Sequence, residues 1–410
     1  MEFGPIVRSL FHNKTRFWLV TLEIALTLAL VINCAVYILD MSSRMIGDTG
    51  MDLENILVVY TEPVSPDFKD EEFVNQVRDE DLRLLAAQPG VLAAAAFHQI
   101  PLSGSGSSAS RRAEGSELNT IPAPYYLVTL DAVETLGVEL EAGRNLLASD
   151  YPPEGQDDIR DDDGVQRFNV LVTRSFADKL FPDGDALGKA VTSSDGTSVQ
   201  TIVGIIKHMN NSWPRSDFGS DVILFPLKAG NDRRMRYLVR ARPGALDDLS
   251  ATLEERMLAV NPDRIITLTS LAEVKADTFS EDVALVKIFS GVIVLLFVVT
   301  SLGIFGLASF SVTERTRQIG TRRALGATRV AILRYFLVEN WVITGIGLTL
   351  GAGLAFGLNM ALASIADSPS LELPLLLTGI VVFWLVGMLA ALVPAMRAML
   401  VSPVLATRTV

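Results

Sequence analysis

Four apolar stretches, each long enough to cross a lipid bilayer, constrain this chain more than any other feature. A hydrocarbon core of about 30 Å takes around 20 apolar residues in helical form. The stretches are residues 17–39, 283–312, 332–365 and 373–400. Within lipid every backbone N–H and C=O must find its partner inside the segment, so each stretch is expected to be a transmembrane α-helix. Lys14 and Arg16 precede the first stretch as they would in a secretory signal. Its apolar core is too long for one, and no small-x-small cleavage site follows, so it reads as an anchor.

Charge gives the orientation. Arg8, Lys14 and Arg16 precede the first span, and Arg397 and Arg408 flank the end of the fourth. Between spans two and three lies ERTRQIGTRRALGATRVAILRYFLVEN, with six arginines: Arg315, Arg317, Arg322, Arg323, Arg329 and Arg334. The loop SIADSPSLEL between spans three and four has no basic residue. Basic flanks stay in the cytoplasm, so both termini and the arginine-rich loop are expected there. Apolar residues at Ile319, Ala324 and Leu325 among the charges predict a short amphipathic helix that lies on something.

The expected organisation is then an interfacial helix at 1–16, a first span at 17–39, a large extracytoplasmic domain at 40–282 and a second span at 283–312. A cytoplasmic coupling segment at 313–331, a third span at 332–365, an outer loop at 366–372, a fourth span at 373–400 and a tail at 401–410 complete it. The formal net charge of −12 comes largely from the outer domain, where Asp157, Asp158, Asp161, Asp162 and Asp163 cluster in a Pro, Gly and Asp-rich tract expected to be a loop. No soluble portion is basic, which argues against nucleic-acid binding. A single cysteine, Cys34, excludes an intrachain disulfide. In the outer domain, apolar runs such as NILVVY, NVLVT, VQTIVGII, DVILFP, RYLVRAR and RIITLTS read as strands. EEFVNQVRDEDLRLLAA and ALDDLSATLEERMLAV read as amphipathic helices, and SGSGSSAS as a linker. The order fits two α+β lobes, the middle one inserted into the first.

Catalytic constellations are scarce. His12, His98 and His208 show no metal-ligand spacing. GDALGK (184–189) has three residues between its glycines where a phosphate loop has four, and Ala190 stands where Ser or Thr would hold Mg²⁺. LSGSG (102–106) is similar to an ABC signature loop but has no nucleotide-binding sequence around it. Neither metal nor cofactor is expected on this chain, and an enzymatic role is not expected either. Inside the spans, Glu23 reads as the one acidic residue well within an apolar run, set either against a neighbouring helix or reaching back toward the inner headgroups. Gly347, Gly351, Gly353 and Gly357 repeat at a spacing that lets helices pack closely.

These motifs carry a resemblance. ERTRQIGTRRALGAT resembles the ERTREIGIRKALGA-type signature of FtsX/MacB-type ABC transporter permeases, and VPAMRAMLVSPVLATR (393–408) is similar to that family's C-terminal tail. NVLVTRSFADKLFPDGDALGKAV followed by TIVGIIK resembles the MacB periplasmic core motif. The resemblance implies a four-span membrane subunit with a large α+β domain in the periplasm, seated in the bacterial inner membrane and working as a homodimer or a heterodimer with a related permease. It implies that Glu314, Arg317, Ile319, Gly320, Arg322, Arg323, Ala324, Leu325, Gly326 and Ala327 form a coupling helix that docks on a cytoplasmic ABC ATPase. The arginines would pair with acidic groups there, and Ile319 and Leu325 would fill an apolar groove. Gly326 would end that helix and Thr328 would cap the next. Only sixteen residues precede the first span, so the ATPase, with its ATP and Mg²⁺, is expected on a separate chain. The implied function is mechanotransmission: ATP hydrolysis drives the periplasmic domain to export drugs, peptides or other extracytoplasmic substrates. A membrane-fusion protein and an outer-membrane channel are further partners the resemblance suggests. FtsX-like control of a cell-wall hydrolase and Lol-like lipoprotein release are the alternatives.

Overall fold

Apolar composition sustained over more than five helical turns produces four long helices in the computed structural model. It describes residues 14–116, 120–151, 164–216, 218–226, 234–366 and 369–402. The expected interfacial helix before Lys14, most of the acidic tract and the tail motif after Ser402 lie outside the described residues. The chain divides into two compact units, a helical one built from both ends of the sequence and an α/β one spanning residues 46–280.

The helical unit opens with α1 (Lys14–Ile46). The α/β unit follows, and its first strand, β1 (Ile56–Pro63), explains its architecture. Successive strand residues point to opposite faces. Here Ile56 and Val58 enter one apolar cluster, while Leu57 and Val59 enter another with residues of α2 (Glu71–Ala86). A strand buried on both faces must be continuously apolar, which is why NILVVY shows no alternation. Next come β2 (Val91–Phe97), β3 (Ser108–Ala113), β4 (Ile121–Leu127), α3 (Ala132–Leu136) and β5 (Leu140–Gly143). They are followed by β6 (Gln166–Thr173), α4 (Arg174–Leu180), β7 (Ala190–Ser193), β8 (Ser198–Ile206) and β9 (Ile223–Phe225). The unit closes with β10 (Arg236–Ala241), α5 (Leu246–Val260), β11 (Arg264–Ser270) and α6 (Leu271–Thr278).

Two sheets result. One is antiparallel in the order β11-β1-β10-β2, so its strands come from the two ends of the unit. The other runs β5-β8-β6-β9-β4-β3-β7, and a further pairing of β7 with β8 closes six of its strands into a ring. The middle lobe is thus inserted into the first, as the order of the segments predicts. Two strands differ from expectation. Ser108–Ala113 takes in the end of the serine-rich stretch expected to be a linker, and Ala190–Ser193 follows the GDALGK loop. Both are short and polar, and they become strands because neighbours supply their hydrogen bonds: β3 lies between β4 and β7, and β7 between β3 and β8. Among the described residues GDALGK itself lies between a helix and a strand, the reverse of the strand-to-helix order a phosphate loop needs.

A capping box at Ser270 and Glu273 starts α6. The chain then returns to the helical unit with α7 (Ser280–Glu314), the short α8 (Thr316–Ala324), α9 (Arg329–Ala366) and α10 (Leu373–Met399). Among the described residues, α1, α7, α9 and α10 are long and apolar enough to cross a membrane. They share a core that includes Ile24, Leu28, Ile304, Ile343, Leu348 and Phe383.

Candidate functional site: the helix between the second and third spans

The arginine-rich segment folds into α8, joined to α7 through Arg315 and to α9 through a tight turn. That turn is a Schellman closure. Gly326 takes a left-handed φ of 99°, its N–H donates to the Arg323 carbonyl at 3.1 Å, and the Ala327 N–H donates to the Arg322 carbonyl at 3.0 Å. The Thr328 hydroxyl then accepts from the Ala331 N–H at 3.2 Å, capping α9. Glycine has a stated job here, because a side chain at φ 99° would be strained.

Helical spacing splits α8 and its flanks into two faces. The inner face holds Ile319, Gly320, Arg323 and Ala327. Ile319 is only 4% exposed and packs with Val312, Ile332, Phe336, Ala395 and Ala398. This corrects the sequence-based expectation that Ile319 fills a groove on a partner. It is already consumed in the chain's own core, since α8 lies against three span ends and needs one apolar residue to seat there. The outer face holds Glu314, Arg317, Arg322, Ala324, Leu325 and Gly326, all exposed. Leu325 is 83% exposed and Val330, just beyond the turn, 69%. One large exposed apolar residue is ordinary; two flanking a glycine turn on a basic helix form a small presented patch.

The arginines expected to pair with acidic groups on a partner also have partners within the chain. The Arg323 Nη1 donates to the Met399 carbonyl at 3.3 Å and to the Val401 carbonyl at 2.5 Å, at the C-terminal end of α10. Carbonyls at a helix end lack intrahelical partners and carry partial negative charge, so a guanidinium is well placed there. The Arg322 guanidinium lies 4.9 Å from the centre of the Tyr335 ring on α9, a cation–π contact. Arg315 donates through Nη1 to both carboxylate oxygens of Glu339, each at 3.0 Å. Arg317 stays on the exposed face. Arg322 keeps an exposed edge, and both can still meet a negative surface.

Elsewhere the four glycines separate into two kinds. A Cβ at Gly347 would lie 2.9 Å from Ile24 of α1, and one at Gly351 would lie 2.9 Å from the Ala25 carbonyl oxygen and 3.0 Å from its Cα. These two let α9 and α1 touch. A Cβ at Gly353 or Gly357 would meet nothing within 4 Å, so neither packs a helix within this chain. Within this chain only the first pair packs, because Gly353 and Gly357 fall on faces of α9 turned from α1. Glu23 lies against α7, where a Cβ at Gly303 would fall 2.5 Å from its carboxylate oxygen. One turn on, the Thr300 hydroxyl meets that of Thr27 at 3.0 Å, and Asn33 donates to the Ala355 carbonyl of α9 at 3.2 Å. Glu23 therefore takes the helix-contact arrangement of the two weighed from sequence.

A match to the MacB-like periplasmic core domain covers residues 17–256, more than half of the chain, and a match to the FtsX-like permease C-terminal domain covers residues 290–403. The chain belongs to the FtsX/MacB-like family of ABC transporter permeases. The uncharacterized ABC transporter permease YvrN of Bacillus subtilis is 30% identical over 58% of this permease and 61% of its own length. The macrolide export ATP-binding/permease protein MacB of Chromobacterium violaceum is 26% identical over 61% of this chain and 40% of its own. The uncharacterized permease YknZ of Bacillus subtilis is 25% identical over 79% and 82%. The permease thus spans less than two thirds of the length of YvrN and of that MacB.

Two residues of the junction escape a reading by composition alone, Arg315 and Glu339. Glu339 lies eight positions into the third apolar stretch, so Glu23 is not the one acidic residue set within a span. The signal was present: FLVEN puts a carboxylate beyond the last arginine of the run, at a depth where only a partner makes it tolerable.

Proposed function

We propose that this permease is the transmembrane subunit of an ABC exporter in the bacterial inner membrane, and that α8 is its coupling helix. A separate ABC ATPase, carrying ATP and Mg²⁺, grips the outer face of α8 from the cytoplasm. Its closure on ATP pushes that face, the spans pass the push across the membrane, and the extracytoplasmic α/β unit changes shape. The cargo is an extracytoplasmic substrate such as a drug or peptide, handed to a membrane-fusion protein and an outer-membrane channel. The working unit is a dimer of such permeases. Catalysis of hydrolysis belongs to the ATPase.

The observation that carries this reading is the construction of α8. A short helix is anchored on one face to the ends of α7, α9 and α10, and on the other it presents Leu325 on a rigid turn among cationic and small residues. Such a helix resists being pushed aside, which a loop would not. The spans add weight. Besides their shared apolar core, they meet through glycine-mediated packing and a few hydroxyl and amide bonds between helices, the pattern of a lever assembly. Replacing Leu325 with Asp puts a carboxylate at the centre of the docking face while touching no core residue. Stimulation of the ATPase in reconstituted membranes is expected to vanish, with the permease still folded. Stimulation equal to that of the unaltered permease would contradict the assignment.

A further inference from the structure

The connection between α7 and α8 is a single residue, Arg315, with non-helical ψ of 10°. An elbow of one residue is a pivot unless something holds it. Two things hold it: the seat of Ile319 against Val312 of α7 and Ile332 and Phe336 of α9, and the side chain of Glu339 on α9, ten residues beyond the start of that helix and therefore about 15 Å along it. The ion pair is largely enclosed: the side chains of Arg315 and Glu339 are 17% and 8% exposed. Glu339 and its neighbour Asn340, which donates to the Gly387 carbonyl of α10 at 3.1 Å, border a cavity of about 30 Å³ lined by residues of all four spans. The pair therefore ties the elbow to the point where the bundle meets. Parting two charges in such a site leaves each poorly solvated, so the tie behaves as a strut.

Resting on the reading of α8 as a coupling helix, we propose that Arg315 and Glu339 are the positioning pair that makes α8 and the third span move as one body, so that a push on Leu325 is delivered to α9. Arg322 on Tyr335 and Arg323 on the α10 carbonyls steady the far end of α8. Those contacts lie at or near the surface, and neither spans the elbow. Without the buried pair, α8 would keep only the Ile319 seat and these surface contacts, and would yield about Arg315 under load while still meeting the ATPase.

The test uses the full permease–ATPase complex in nanodiscs, with Cys34 replaced by Ser and spin labels on Thr321→Cys of α8 and Ile346→Cys of α9, both exposed positions. With the pair intact, the label-to-label distance should be narrow and the same without nucleotide and with ATP. In the double variant Arg315→Met, Glu339→Leu, which replaces the ion pair with apolar volume and leaves no charge stranded, the distance should broaden or shift with ATP. ATPase stimulation should fall at least about fivefold, the lower end of typical coupling between sites. Co-purification of the ATPase and the melting temperature should be unchanged. The charge-reversed pair Arg315→Glu, Glu339→Arg should restore part of the stimulation. A double variant that keeps both the fixed distance and full stimulation would overturn the proposal, as would an intact pair whose distance changes with ATP. Leu325→Asp serves as the separate control. If it keeps stimulation, the coupling-helix reading fails whatever the pair does.

Discussion

Both units of this permease bury an arginine–carboxylate pair, and the two pairs do different work. In the α/β unit, Arg264 of β11 grips Asp81 of α2 through both nitrogens of its fork, one at 2.8 Å. The same guanidinium donates to the Met257 carbonyl of α5 at 3.0 Å, and the Tyr237 hydroxyl of β10 donates to Asp81 at 2.7 Å. Burial, reinforced by the Asp81 charge, holds the Tyr237 phenol protonated far above its ordinary range. Four elements of one lobe meet in one hydrogen-bonded network around Arg264 and Asp81, which makes this a keystone inside a rigid body. Arg315 and Glu339 instead join a short helix to a long one across a one-residue elbow, next to the face offered to a partner. The difference teaches that burial of a charge pair does not by itself indicate its role. What matters is whether it lies inside one packed lobe or at a joint between helices.

That contrast can be broken most forcefully at Asp81. Asp81→Ala strands Arg264 in the core, and about 3–5 kcal/mol of stability should be lost from the α/β unit. Denaturant unfolding of the full chain, with hydrogen exchange followed in β1, β10 and β11, would register it. A loss under about 1 kcal/mol would mean the network is not a keystone. The glycines sharpen the same distinction inside the membrane. Gly351→Leu drives a side chain into the backbone of α1 and should cost about 1–3 kcal/mol by overpacking. Gly357→Leu, facing open space, should stay within about 0.5 kcal/mol of the unaltered chain. Equal effects at the two positions would show that the second pair also packs, against something outside this chain.

The smallest effect concerns a partly exposed pair of the α/β unit. Two hydrogen bonds from Arg144, with others from Leu147 and Asn169, lower the Asp150 pKa to about 2. The unfolded value is about 3.9. A depressed folded pKa contributes stability above the unfolded pKa and loses it as pH falls through the folded one. The contribution is therefore present at neutral pH and fades between about pH 4 and pH 2. Because Arg144 is 40% exposed, under about 1 kcal/mol is expected. The stability gap between the unaltered permease and Asp150→Asn should be open at about pH 6 and closed near about pH 2. A gap independent of pH would remove the pair from the account.

Much of this was readable from residues alone, for physical reasons that also mark where reading stops. Lipid allows few spanning structures, so long apolar runs name their own fold, and the doubly buried strand NILVVY announces itself by its continuity. The arginine run announces a basic segment between two spans, and Gly326 and Thr328 announce its turn. The partners of those residues were not legible. Type and spacing show that Arg323 can bind an acceptor, but only the packed structure shows that the acceptors are carbonyls of its own α10. Ile319 and Leu325 are both apolar and six positions apart, and nothing local says that one is seated inside and the other presented outside. The strands at Ser108 and Ala190 depend on neighbours far along the chain, which a local pattern does not contain.

The central claim is that the turn after α8 touches an ATPase in the cytoplasm, and one measurement bears on it most directly. With Cys34 replaced by Ser, a cysteine at Leu325 can be crosslinked in native membranes in the presence of the ATPase. The account predicts a crosslink between this permease and the ATPase, abolished when the ATPase lacks its docking groove, and protection of the same cysteine from impermeant reagents added to intact cells. A cysteine at Leu325 that reacts from outside the cell, or that never reaches an ATPase co-purifying with the permease, would contradict it.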